Sequence, residues 1–209
     1  MKKLWTKYRK SDLIKIGLTG NIGTGKSTIL NIFKNNGFFT VKADEIAKTL
    51  YYDNKDLKKA LIDSFGQDFY LNSGKINKKK LEYILYFDDR AREKFNKIYY
   101  PVFKEYQEEY FDKISLNHKI LIYESALLVE VGTYKIFDKI ILVNCSKEKQ
   151  IERIKDRKLS GEKIKKILEH QYPFSYLQKY ADFIIDTNKS IKKTEKQTKD
   201  IIRTLKLFV

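Results

Sequence analysis

The sequence predicts a three-layer α/β fold: a mostly parallel five-stranded sheet with a helical insertion and a helical lid. Three observations carry this prediction. Five short apolar runs rich in isoleucine, at 13–19, 38–42, 119–123, 139–143 and 183–186, have the continuous character of strands buried on both faces. Stretches with apolar residues three and four apart separate them, and such alternation calls for parallel strands joined by right-handed crossovers. A glycine-rich loop follows the first run directly.

Residues 1–11 form a basic extension that contains Trp5. The first apolar run is short and is followed by the glycine loop, with no small-residue cleavage site, so it reads as a strand and not a secretion signal. The loop, Gly20-Asn21-Ile22-Gly23-Thr24-Gly25-Lys26-Ser27, fills the pattern G-x-x-x-x-G-K-S/T and opens a helical stretch at Thr28. This is the P-loop pattern. Glycines at 20, 23 and 25 let the backbone wrap around phosphates with N–H groups inward, and the helix N-terminus adds positive potential. Lys26 reaches the β and γ oxygens and Ser27 holds magnesium; Thr24 and Thr28 complete the predicted ATP-binding set. P-loops also serve GTPases, motor ATPases and transporters, so this motif defines the phosphate donor and not the acceptor.

Ala43-Asp44 follows the second strand, at the carboxyl end where a doubly wound sheet meets its ligand. Two roles fit Asp44 by position: a base for an attacking hydroxyl, or the cap of a helix beginning near Glu45. A helical insertion is expected at about 50–118, with one long helix at about 88–113. The third strand ends in Glu124, the placement of a carboxylate that supports magnesium through water, although an acid ends many strands. After the fourth strand, Ser146 is expected to cap a helix carrying Gln150, Arg153 and Arg157, and Ser160 to cap a second running to about Gln171. Together they form the lid, about 146–171. Arg153 and Arg157 share a helix face and either close over transferring phosphates or belong to a solvated face that includes Lys149, Lys155 and Lys158. A last helix at 190–207 packs on the sheet, which completes one P-loop domain over 12–209.

Composition narrows the class further. With 209 residues and 42% hydrophobic content the chain can bury a substantial core, and no apolar run approaches the ~18 residues of a membrane span. The single cysteine, Cys145, excludes an intrachain disulfide framework, and His118 and His170 alone leave little for zinc, so a reducing cytoplasm is expected. The net charge of +16 is spread over the chain, amid many Asn, Ile and Tyr residues. It reads as compositional drift together with attraction for phosphorylated small molecules, since the basic residues are not clustered with aromatics as in RNA-binding modules.

Taken together these residues resemble the dephospho-coenzyme A kinase family over nearly the whole chain. The resemblance runs from Gly17 through Thr28, then Ala43-Asp44, Gly74-Lys75-Ile76-Asn77-Lys78 with Leu81, and Leu127-Leu128-Val129-Glu130. It continues through Gln150, Arg153, Arg157 and Gln171 to Ala181-Asp182 and Ile185-Asp186. It implies transfer of the ATP γ-phosphate, with Mg2+, to the ribose 3′-hydroxyl of dephospho-CoA, the last step of CoA synthesis. It also implies Lys26, Asp44 and Arg157 as catalytic, Arg153 at ATP, and Asp44, Lys78 and Gln171 at the acceptor. Ser27 and Glu124 would hold the metal. Four positions depart from the family pattern: Glu124 replaces Asp, Ala126 replaces Pro, Lys78 replaces Arg, and Tyr100 replaces the His before Pro101. Another nucleoside or nucleotide kinase of the same fold is the alternative, followed by an ATP-regulated nucleic-acid-binding module.

Overall fold

Apolar runs with no polar alternation form five strands: β1 (Ile14–Thr19), β2 (Phe39–Lys42), β3 (Ile120–Glu124), β4 (Lys139–Asn144) and β5 (Phe183–Asp186). The structure, a computed structural model, describes residues 12–155 and 160–208. Nine α-helices lie among the described residues: α1 (Lys26–Asn35), α2 (Ala43–Asp53), α3 (Lys55–Phe65), α4 (Lys78–Phe87), α5 (Asp89–Ser115), α6 (Lys147–Lys155), α7 (Gly161–Glu169), α8 (Phe174–Leu177) and α9 (Ile191–Lys206). The strands pair in the order β2-β3-β1-β4-β5 and every pairing is parallel. Their carboxyl ends therefore share one edge, where an open α/β sheet receives its ligand.

Asp44–Lys113 form one compact unit, and the described residues on either side of that segment form the other. In the sheet-containing unit, side chains alternate across the strands. Ile16, Leu18, Ile122, Ile141 and Val143 pack with Ile29, Leu30 and Phe33 of α1 and with Ile201, Ile202 and Leu205 of α9. Leu142, one residue out of phase, packs with Val129 and Leu177 and with the partly buried Tyr134, Phe174 and Tyr180. Helices on both faces explain why the strand sequences show no polar alternation.

The helical unit has an aromatic interior. Phe95, Tyr99 and Phe103 recur four residues apart along α5 and stack on one another, with ring centroids 5.2 and 5.3 Å apart. Tyr51 of α2 stacks on Tyr99 at 5.3 Å, and Phe65 and Phe69 close on Phe95. Asn54 and Asn77 cap α3 and α4 by accepting from Leu57 N and Lys80 N. Pro101 lies within α5, where it removes one backbone donor from the helix.

The expected element boundaries differ mainly at two helices. The helix after β2 begins at Ala43, so Asp44 lies inside its first turn and is not its cap. Helix α7 stops at Glu169 and does not reach Gln171. Pro173 disfavours helical backbone at Tyr172, and the 171–172 segment leaves the helix to meet the glycine loop.

Phe33 is fully buried and meets Phe38 edge to face at 5.4 Å. Phe33→Ala is expected to cost about 3–5 kcal/mol in urea denaturation, the usual range for a buried phenylalanine. A loss below about 1 kcal/mol would contradict its place in the core.

Candidate active site

Strand pairing brings three strand ends to one level. Leu18 of β1 is in register with Glu124 of β3, and Glu124 is in register with Lys42 of β2. The glycine loop starts two residues beyond Leu18 and leads into α1. Gly20 has φ 142°, and a Cβ there would stand 2.3 Å from the Val143 carbonyl oxygen, so only glycine lets the loop rest on the end of β4. Gly23 has φ 81°, and a Cβ there would stand 2.8 Å from the Gln150 carbonyl oxygen, so α6 also lies directly against the loop. Gly25 caps α1 in left-handed conformation and brings no capping side chain to its first turn.

Five successive carbonyls of this loop have donors within the protein. Lys26 Nζ donates to Gly20 O at 2.7 Å and to Asn21 O at 3.0 Å. The Thr24 hydroxyl also donates to Asn21 O, at 2.8 Å. Gln150 Nε2 donates to Ile22 O at 2.7 Å, and Arg153 Nη1 lies 3.4 Å from both Gly23 O and Thr24 O. The Thr187 hydroxyl donates to Thr24 O at 2.7 Å. Because these acceptors are satisfied, the loop's unmatched capacity is of the donating sense, which suits an anion.

Ser27 Oγ, exposed at the start of α1, lies 3.5 Å from Glu124 Oε1. A hydroxyl and a carboxylate oxygen at this separation are the hard donors that magnesium prefers. Among the described residues there is no group of three or more His, Cys, Asp or Glu able to hold a metal by itself.

Beside the loop, Gly23, Gly25, Thr28, Arg153, Thr187 and Lys189 contribute to the lining of a cleft of about 370 Å³. The Arg153 guanidinium is fixed there by Thr187, donating to its hydroxyl at 2.9 Å and to its carbonyl at 2.8 Å. On the loop's other flank, Asn21 Nδ2 donates to Tyr172 O at 3.3 Å and Ile22 N donates to Gln171 Oε1 at 2.9 Å. Tyr172 N in turn donates to Glu130 Oε1 at 3.0 Å. Burial pushes the Glu130 carboxyl above its ordinary range, partly opposed by this backbone hydrogen bond and by the Lys26 charge.

The structure thus brings Gly20, Gly23, Thr24, Gly25, Lys26, Ser27, Thr28, Glu124, Arg153 and Gln171 together in the sheet-containing unit. Asp44 and Lys78 belong to the helical unit, where both are exposed, Lys78 at the start of α4. After burial, the dominant cause, the Asp44 carboxylate helps raise the phenol of Tyr86. Arg157 and the 1–11 extension with Trp5 lie outside the described residues. Sequence reasoning missed Thr187, Lys189 and the Asn21–Tyr172 contact. Only their place directly after β5 and after α7 offered a signal.

A sequence model described as dephospho-CoA kinase matches residues 14–193. A dephospho-CoA kinase from Aquifex aeolicus is 35% identical over 195 residues, which cover 91% of this chain and 97% of the relative. A solved dephospho-CoA kinase from Campylobacter jejuni is 26% identical with a TM-score of 0.68, covering 91% of this chain and 96% of that one. A solved structure from Thermus thermophilus, 22% identical with a TM-score of 0.75 over 92% of this chain and 98% of its own, shares the fold.

A carboxyl whose folded pKa is raised binds its proton more tightly in the folded state. The associated stability is full at low pH and is lost as pH rises through the folded value. Glu130→Gln keeps an acceptor for Tyr172 N without the charge. It should therefore gain stability relative to the parent protein between pH 4 and pH 7 in denaturant titrations, about 1 kcal/mol or less for a half-buried group. A relative loss over that interval would contradict the assigned direction.

Proposed function

The chain belongs to the dephospho-CoA kinase family, and from that premise we propose that it transfers the γ-phosphate of ATP to the ribose 3′-hydroxyl of dephospho-CoA, yielding CoA and ADP. It is an ATP-dependent phosphotransferase of the P-loop kinase fold. The supporting observation is that one family match, residues 14–193, runs through both the glycine loop and the whole helical unit. A likeness confined to the loop would indicate only the phosphate donor.

In this reading the N–H groups of the loop and the first turn of α1 bind the β- and γ-phosphates, and Lys26 reaches their oxygens from beside the loop carbonyls. The cleft beside Arg153, Thr187 and Lys189 takes the adenine end of ATP. Ser27 and Glu124 would hold magnesium, which when bound would supply charge neutralisation for the phosphates. Glu124 is one methylene longer than the usual family aspartate and reaches to within 3.5 Å of Ser27 Oγ.

Asp44 is the general base. It accepts the proton of the 3′-hydroxyl as that oxygen attacks the γ-phosphorus and the bond to the β–γ bridging oxygen breaks, releasing ADP. Its support is connectivity: Asp44 comes two residues after Lys42, which is level in the sheet with Glu124. Lys78 at the start of α4 serves the acceptor as a point charge and not as a bidentate fork. From the family resemblance, Arg157 binds transferring phosphate, and positioning with charge neutralisation supplies most of the rate enhancement.

Among the described residues no helix is long and apolar enough to cross a membrane. We assign the enzyme to the cytoplasm, where its single, buried thiol, Cys145, would stay reduced.

The assay that tests this reading couples ADP release to a visible signal, with ATP and magnesium and a panel of acceptors. Turnover is expected on dephospho-CoA and not on nucleosides or nucleoside monophosphates. Preferential turnover of a nucleoside monophosphate would overturn the acceptor. Asp44→Asn is expected to lower kcat at least about 100-fold with ATP binding retained, the usual scale of general-base help. Near-parental turnover would remove Asp44 from the reaction. Lys26→Ala should impair both ATP binding and transfer, and unimpaired turnover would contradict the assignment of the loop.

A further inference from the structure

Three residues of the glycine loop, Gly20, Gly23 and Gly25, have φ of 142°, 81° and 97°. Such residues lose much conformational freedom on folding and have no side chains with which to pack, so the loop's shape must be imposed from outside. Ile22 lies between the first two and is gripped from both directions. The N–H of the Asn21–Ile22 peptide donates to Gln171 Oε1 at 2.9 Å, and the C=O of the Ile22–Gly23 peptide accepts from Gln150 Nε2 at 2.7 Å. A backbone N–H can only donate and a carbonyl can only accept, so these partners fix which end of each amide faces the loop.

The two glutamines come from elements that are themselves anchored on the sheet-containing unit. Gln150 N donates to Ser146 O at 2.9 Å in the first turn of α6, and Ser146 N donates to Asn188 Oδ1 at 2.6 Å beyond β5. Gln171 lies in the short segment between α7 and Pro173, where Tyr172 N donates to Glu130 and Tyr172 O accepts from Asn21. One grip thus comes from a helix on the β4–β5 side, and the other from a strap tied to the residues that follow β3. Both act on the stretch of loop least able to hold itself.

We propose that Gln150 and Gln171 are positioning residues for phosphoryl transfer: a pair of side-chain amides of opposite hydrogen-bonding sense that holds the two peptides flanking Ile22 so that the remaining loop N–H groups converge on the transferring phosphate. The inference rests on the loop being the phosphate site, but the grip itself is present in the nucleotide-free protein and can be tested without an acceptor. It also gives Gln171 a role different from the acceptor contact that the family resemblance implies.

The test is hydrogen exchange of the Ile22 amide, followed by NMR in the ligand-free full chain, together with steady-state kinetics. Gln171→Met removes the acceptor at similar length and should raise Ile22 exchange about tenfold or more, while amides of β4 keep their protection. In kinetics with dephospho-CoA it should lower kcat about tenfold and move the KM for that acceptor less than about twofold. Gln171→Glu keeps an accepting oxygen and should restore Ile22 protection. Gln150→Glu cannot donate to the Ile22 carbonyl and should lower kcat as far as Gln150→Met does. If Gln171→Met does not fold, the contrast between the two glutamate variants decides the matter. Unchanged Ile22 exchange in Gln171→Met would overturn the proposal, as would an equal loss of kcat in the two glutamate variants. So would a raised KM for dephospho-CoA with unchanged kcat, which would assign Gln171 to the acceptor.

Discussion

The constraint on which the rest of the site depends is the engagement of the loop carbonyls from Gly20 to Thr24. Each has a donor from the protein: Lys26, the Thr24 hydroxyl, Gln150, Arg153 or Thr187. A glycine-rich loop left to itself presents carbonyls as readily as amides, and carbonyls turned inward would repel phosphate. Satisfying them inside the protein gives the loop its donating character before any ligand arrives, which is the preorganisation that electrostatic catalysis requires.

That arrangement depends on the sheet. Parallel pairing brings the ends of β1, β2 and β3 to one level, and the close contact of Gly20 with the end of β4 fixes where the loop begins. From β4 and β5 come the next connections, to α6 and to the Thr187–Lys189 segment, which supply Gln150, Arg153 and the Thr187 hydroxyl. The core formed by β1, β3, β4, α1 and α9 is therefore the foundation on which these polar contacts can act together. Hydrogen bonds of this kind are individually worth about 0.5–1.5 kcal/mol, and it is the rigid frame that makes their directions reproducible.

What was legible in the sequence was local. The five strands stood out because burial on both faces leaves isoleucine runs with no polar alternation, and the glycine loop because its function needs closely spaced residues. Glu124 was legible as an acid at a strand end, and Ser146 and Ser160 as helix starts. The strand order was not legible, because it is set by crossover packing, and a strand's composition does not show which neighbour it takes. Nor were the loop's partners. Gln150, Gln171 and Thr187 lie 128, 149 and 163 residues from the loop residues they bond, and nothing in their own neighbourhoods marks them as partners of a backbone amide or carbonyl. Helix α7 was expected to run to about Gln171 and ends at Glu169, short of the residue that Pro173 disfavours for helix.

The central claim is transfer of one phosphoryl group to one position of one sugar, and the position of the new phosphate tests it most directly. The products of a reaction with ATP, magnesium and dephospho-CoA, analysed by 31P NMR with proton correlation, should contain one new phosphomonoester coupled to the ribose H3′, in step with ADP. A phosphomonoester at the 2′ position, or inorganic phosphate in place of any new ester, would contradict the account.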